Sequence, residues 1–184
     1  MKRFDPAKAA LLDDPARFEY LSLETVFALL DAPRGSLVVD YGTGTGAFAI
    51  PLARARPDLR IVAYDVEPRM LALAQAKLDT ESAPNVRTES TLDPSLNGAV
   101  ARVLGINVLH ELEPADLASI HALLAGGGRF VSIDWNARER PVGPPPERVY
   151  DVATARTFVE DAGFRVLAQT QLRFHDALVA EKAP

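Results

Sequence analysis

From residue 37 onward, short β-rich runs alternate with longer helical patterns, and this alternation constrains the chain more than any other feature. Leu37-Val38-Val39, Arg60 to Tyr64, Val86 to Thr88, Val103 to Ile106 and Arg129 to Trp135 read as strands. The intervals between them are long enough for helices, so successive strands are expected to pair in parallel through crossover connections. The expected class is α/β. Ala16 to Leu30 reads as a helix with Phe18, Leu21, Thr25, Ala28 and Leu29 on one face, stopped by Pro33-Arg34-Gly35. Further helices are predicted from Ala47 to Ala55, from Pro68 to near Asp79, and from Pro114 through Leu117, Ile120 and Leu124 to a stop at Gly126-Gly127-Gly128. A last helix carries Val152, Ala155, Phe158, Val159 and Ala162 and closes at Gly163, and Phe164 to Thr170 with Leu172 to Ala180 form a C-terminal hairpin. The organisation predicted is one domain over 1–184, with an N-terminal helical segment (1–35) ahead of an α/β core (36–184).

Composition narrows the function classes. The 184 residues include no cysteine, which removes disulfide scaffolds, thiolate metal sites and cysteine nucleophiles, and points to a reducing compartment. Twenty Lys and Arg against 25 Asp and Glu give a net charge of −5, a balance that disfavours nucleic acid as the main ligand. Arg54, Arg56 and Arg60 are the only local basic cluster, and they flank a turn where a solvated face is expected. The longest apolar stretch, Ala47 to Ala53, is far below the roughly 18 residues of a membrane helix. Lys2 and Arg3 imitate a signal sequence, but the apolar run after them ends at Asp13-Asp14, so the cytoplasm is the expected location.

The chemistry-bearing segment is Val38-Val39-Asp40-Tyr41-Gly42-Thr43-Gly44-Thr45-Gly46, at the carboxyl end of the first core strand and before a helix. Three glycines in five residues exceed what a turn needs, although a turn without ligand remains the plain alternative. Asp65 closes the second strand, where a carboxylate can accept hydrogen bonds from ribose hydroxyls; an ordinary surface aspartate is its plain alternative. Together they point to an adenosine-bearing cofactor. The spacing is G-x-G-x-G rather than the dinucleotide fingerprint G-x-G-x-x-G, and no Gly-Lys-Ser/Thr follows for a P-loop. Asp40 opposes a pyrophosphate but suits an ammonium and a sulfonium, which favours S-adenosylmethionine over NAD.

The segment Val38 to Gly46 resembles the first motif of class I S-adenosylmethionine-dependent methyltransferases, and Ala63-Tyr64-Asp65-Val66-Glu67-Pro68-Arg69-Met70-Leu71 resembles the second. Phe4-Asp5-Pro6, Leu12-Asp13-Asp14-Pro15, Asn107-Val108-Leu109-His110-Glu111-Leu112, Gly127-Gly128-Arg129, Ile133-Asp134-Trp135 and Gly143-Pro144-Pro145 are similar to stretches of its small, ubiquinone-biosynthesis-like members. The resemblance implies a doubly wound Rossmann-like sheet of seven strands, mostly parallel, in the order 3-2-1-4-5-7-6, with helices on both faces and an N-terminal helical cap. It implies that Asp40, Tyr41, Gly42, Thr43 and Gly44 line the methionine half of S-adenosyl-L-methionine. Asp65 would hold the ribose and Val66 the adenine, with Thr91 and Leu92 where the family carries its third motif. Asn107 would face the transferring methyl, and S-adenosyl-L-homocysteine would be the product.

In-line displacement at an activated sulfonium asks mainly for positioning and shielding. A general base helps when the acceptor must lose a proton, and His110 is the candidate; a structural histidine contacting backbone is its alternative. Glu111 reads as a solvated first-turn acid, His175 as a half-buried sheet histidine, and Asp134 with Trp135 as neighbours of the acceptor on the same face as Gly42, with packing and loop anchoring as their equal alternatives. His110, Glu111 and His121 lack metal-site spacing, so no metal is expected. The expected function is methyl transfer to a small-molecule acceptor. A non-catalytic S-adenosylmethionine-binding module and an NAD-linked oxidoreductase are the alternatives, and a homodimer is left open as a partner state. Of 14 prolines, four fall between Pro141 and Pro146, in a connection predicted to stiffen a loop beside the acceptor.

Overall fold

A computed structural model describes residues 4–182; Lys2 and Arg3, considered above, lie outside the described residues. Seven strands, β1 (Leu37–Tyr41), β2 (Arg60–Tyr64), β3 (Val86–Glu89), β4 (Val100–Ile106), β5 (Leu124–Trp135), β6 (Phe164–Gln171) and β7 (His175–Lys182), form one sheet in the order β3-β2-β1-β4-β5-β7-β6. Every pairing among β1 to β5 is parallel, and β7 lies antiparallel between β5 and β6. Both the order and the inserted antiparallel strand match the expectation.

Side chains alternate across the strands, and each face buries its own core. On one face Val39, Val103, Phe130 and Leu178 pack against α5 (Pro114–Leu123) and α6 (Val152–Asp161). On the other, Val38, Leu104, Val131, Ile133 and Ala177 pack against α2 (Leu23–Leu30) and α3 (Ala49–Ala55). The remaining helices are α1 (Arg17–Tyr20) and α4 (Pro68–Leu78), and a 3-10 turn spans Pro6–Leu12. No helix among the described residues is long and apolar enough to cross a membrane.

Among the boundaries that differ from the sequence reading, three have a clear local cause. The helix expected over Ala16 to Leu30 is broken after Tyr20, because Ser22 adopts an extended backbone and its Oγ accepts from the Thr25 N–H at 3.1 Å, starting α2 afresh. Gly126 to Gly128 do not close α5. Leu124, fully buried, already pairs with Val100, and residues 125–128 bulge opposite Ala101 before Arg129 rejoins Arg102. The second strand of the hairpin starts at His175 rather than Leu172, since Leu172 and His175 close the turn between the strands with a 2.9 Å backbone bond. The arginines near residue 56 form local ion pairs, Arg56 with Asp58 and Arg54 with Glu81.

Candidate functional site

The order of strands reverses at β1, which has β2 on one side and β4 on the other; crevices at such reversals are where open α/β sheets bind ligands. The chain leaving β1 turns through Gly42, Gly44 and Gly46 at φ +78°, +58° and +75°, values that favour glycine. A Cβ on Gly42 would lie 2.9 Å from Val108 Cγ2, and one on Gly44 would lie 2.9 Å from Leu12 Cδ1. The turn is therefore a cradle of bare backbone between the loop after β4 and the N-terminal segment. The Gly42 and Thr43 N–H groups both donate to the Tyr64 carbonyl at 2.8 Å, which ties the cradle to the end of β2.

Two carboxylates border it. Asp65 accepts from the Gly44 N–H at 2.8 Å through Oδ2 and from the Glu67 N–H at 2.9 Å through Oδ1, so it is held against the turn. Asp40 is buried and accepts from Thr43 Oγ1 at 2.7 Å. Burial pushes its pKa up to about 6 against the pull of that bond, with Asp65 raising it further and Arg17 opposing. Its ionised form is short of positive charge, a deficit that a cationic ligand would meet. The segment before α1 closes the cradle: Asp13 accepts from Thr45 Oγ1 at 2.6 Å and pairs with Lys77 of α4, and Lys77 also donates to the Thr45 carbonyl at 2.9 Å.

Beyond β4 lies a second cluster. Asn107 has φ +57°, donates its N–H to the Ile133 carbonyl at 2.8 Å and keeps a buried Oδ1 without a partner among the described residues. His110 is buried, with Nδ1 2.8 Å from Asp134 Oδ1, and its own N–H donates to Asp134 Oδ2 at 2.8 Å. Burial alone would lower the His110 pKa, but the Asp134 hydrogen bond and the charges of Asp134 and Glu111 outweigh it and raise it. Glu111 accepts from the Phe4 N–H at 3.2 Å; burial raises its pKa against that bond and against His110. A cavity behind the pair, beside Leu109, Ser132 and Tyr150, holds about 10 Å³, room for one water.

Residues 38–128 match the family described as a methyltransferase domain. Over the whole fold, a SAM-dependent methyltransferase from Aquifex aeolicus superposes with a TM-score of 0.92 at 28% identity, covering 98% of this chain and 100% of that one. The chain belongs to the class I S-adenosylmethionine-dependent methyltransferases. It is also similar to the release factor glutamine methyltransferase of Mycolicibacterium smegmatis, 37% identical over 103 residues (51% of this chain, 37% of that one). The demethylmenaquinone methyltransferase of Thermus thermophilus is 27% identical over 158 residues (83% of this chain, 63% of that one). The chain thus spans less than two thirds of the length of either relative.

Membership of this methyltransferase family implies S-adenosylmethionine as the cofactor and sets aside the nicotinamide alternative. The donor set fits: a side-chain-free cradle, an anchored Asp65 beside it and a buried Asp40 in want of a cation. Of the residues singled out in the sequence, Asp40, Gly42, Thr43, Gly44 and Asp65 meet at the cradle, and Asn107 stands across from it, next to the Val108 that touches Gly42. Tyr41 faces away: its hydroxyl donates to Asp116 at 3.0 Å and its ring packs on Tyr64, so only its backbone borders the cradle. Val66 is exposed at the rim. Thr91 is exposed, and Leu92 packs against the main core.

Around this end of the sheet the structure joins side chains that the sequence reading did not connect. Asp134 and Trp135 both end β5, but alternation turns their side chains to opposite faces, Asp134 to His110 and Trp135 to His175, whose ring it stacks on at 4.3 Å. His175 is fully enclosed rather than half-buried, between Trp135 and Tyr20, with neither ring nitrogen hydrogen-bonded among the described residues; burial, helped by Arg17 and Arg140, drives its pKa down to about 3. Arg140 lies 5.2 Å over the Trp135 ring and donates to the Asn136 and Pro144 carbonyls, and a Cβ on Gly143 would come within 2.9 Å of that ring. The proline cluster is thereby strapped onto Trp135. Glu111, read as solvated, is half-buried beside His110 because the Phe4 N–H holds it inward. Tyr20 and Arg140 had a weak signal, an aromatic or a cation next to segments read as coverings. The His110 to Asp134 contact had only the adjacency of two strand ends.

Proposed function

We propose that this protein transfers a methyl group from S-adenosylmethionine to a small-molecule acceptor, with His110 as the general base and Asp134 orienting it. The observation that carries the reading is the buried His110 to Asp134 pair at the carboxyl ends of β4 and β5, beside a cradle suited to the cofactor. The cofactor supplies an activated methyl on a sulfonium; the chain supplies position, shielding and a proton acceptor. Asp40, Gly42, Thr43 and Gly44 would hold the methionine half and Asp65 the ribose. With Nδ1 donating to Asp134, the basic nitrogen of His110 is Nε2, and it takes the proton that the acceptor loses. This pair favours an enzyme over a binding module without catalysis.

A small acceptor is supported by what covers the site. The segment from Pro6 to Tyr20 and the strapped proline loop enclose the carboxyl edge of the sheet, and the negative net charge offers no track for nucleic acid. One relative is named for a release factor glutamine and another for demethylmenaquinone, so both acceptor classes belong in the test. Purified protein incubated with methyl-labelled S-adenosylmethionine and a panel of phenols, quinol precursors, amines, acids and thiols should label a small molecule, read by mass spectrometry. Label found only in an added release factor or RNA would overturn the small-molecule reading.

A further inference from the structure

The described residues hold two buried arginines, and they are used differently. Arg102, under β4, donates to the carbonyls of Leu30, Asp31 and Ala101, closing the C-terminus of α2, where a cation is favoured. Arg17 is 7% exposed and, among the described residues, its side chain donates a single hydrogen bond, from Nη1 to the Leu12 carbonyl at 2.9 Å, while its guanidinium lies 5.0 Å over the Phe48 ring. Among the described residues no carboxylate forms an ion pair with it. Burial lowers its pKa, opposed by the more distant charges of Tyr20, Asp40 and Asp13. A buried cation with one neutral partner is costly, and in native proteins such charges are matched by an opposite one.

The position of Arg17 identifies the missing partner. Leu12, whose carbonyl it grips, reaches Gly44 of the cradle, and Phe48, which it covers, is the N-cap of α3 just past Gly46. Arg17 is thus fixed against the glycine turn on the face of the sheet that carries Asp40. We propose that Arg17 binds the carboxylate of the cofactor's methionine group, while Asp40 takes its ammonium, so that an acid and a base of this chain read the two ends of one amino-acid zwitterion. The inference rests on S-adenosylmethionine being the cofactor. A guanidinium suits the task because its planar donors match a carboxylate in pairs. It also explains why a cation is tolerated in an aromatic, water-poor position: its partner comes with the ligand.

The test compares ligands differing only in that carboxylate. Isothermal titration of the wild type, Arg17→Met and Arg17→Lys with S-adenosylmethionine, S-adenosylhomocysteine and decarboxylated S-adenosylmethionine gives affinity ratios within each protein, which a partly unfolded sample does not alter. The wild type should prefer S-adenosylmethionine to its decarboxylated form by about 10- to 100-fold, the range of a hydrogen bond between charged groups. Arg17→Met should lose that preference, binding the decarboxylated form within about twofold of wild type; Arg17→Lys should keep part of it and supplies the ratio if the methionine variant does not fold. Equal weakening for both ligands would assign Arg17 a structural role, and an unchanged preference would assign the carboxylate elsewhere; either overturns the proposal. A wild type that binds none of the three overturns the cofactor reading itself, whereas binding without discrimination overturns only the role of Arg17.

Discussion

The two halves of the sheet's carboxyl edge are built on different principles. Around β1 and β2 the work is done by backbone: three left-handed glycines, two N–H groups on one Tyr64 carbonyl, and a carboxylate anchored by main-chain donors. Around β4, β5 and β7 it is done by side chains that meet from distant parts of the chain, His110 with Asp134, and Trp135 with His175, Tyr20 and Arg140. A main-chain cradle serves any sequence that can make the turn. A side-chain cluster can be rebuilt for each acceptor without disturbing the cradle, which is how one fold supports many chemistries.

This contrast can be broken experimentally. The largest effect should come from His110→Asn, which is expected to lower kcat by about 10²- to 10⁴-fold while cofactor affinity stays within about twofold; a matching loss of affinity would mean that the halves are not separable. The wild-type rate should rise with pH through an apparent pKa above 6.5, since the raised pKa keeps His110 protonated to higher pH and only its neutral form accepts a proton. A flat pH profile would remove His110 from the proton step. On the cradle side, Asp65→Ala should weaken cofactor binding by roughly 10- to 100-fold, the loss of charge-assisted hydrogen bonds, as read by titration.

Asp40 ties cofactor affinity to acidity. Its folded pKa, raised to about 6, means that ionisation costs stability once the pH passes the unfolded value near 4. Asp40→Asn should therefore stabilise the ligand-free protein at pH 7 by roughly 2–3 kcal/mol and weaken cofactor binding. In the wild type, affinity should fall up to about tenfold per pH unit below 6 and level off above it. At pH 7 the smallest effect belongs to His175, because its contribution is lost only in acid. Its folded pKa is depressed to about 3, so stability is fully present above about pH 6.5 and declines by roughly 1.4 kcal/mol per unit as the pH falls from there towards 3. His175→Phe should flatten the Tm profile between pH 4 and 6.5; an unaltered slope would show that another group sets the acid sensitivity.

What was legible in the sequence follows the same division. The cradle occupies nine consecutive residues, and its partner Asp65 comes one strand later, so spacing alone brought them together. Sheet order came with the resemblance those motifs carry. The other half of the edge was less readable: His110 and Asp134 are 24 residues apart, and their contact depends on the parallel register of β4 with β5, which no local pattern encodes. Which face each β5 residue takes depends on the bulge at 125–128, where three glycines look like a helix stop. The break at Ser22 failed for another reason, since Phe18, Leu21, Thr25 and Leu29 keep a helical period across it while the Ser22 hydroxyl captures the Thr25 N–H.

The inserted antiparallel strand has a consequence for how the molecule comes into being. The edge of β5 that ends at Asp134 and Trp135 is covered by β7, which starts 40 residues later (175 − 135). During synthesis at the usual 5–20 residues per second, that edge waits seconds after β5 leaves the ribosome before its neighbour can arrive. In that interval Asp134, Trp135 and a row of unpaired backbone groups stand open to other strands. This end of the sheet is thus completed after the glycine cradle, and it needs shelter until β7 arrives.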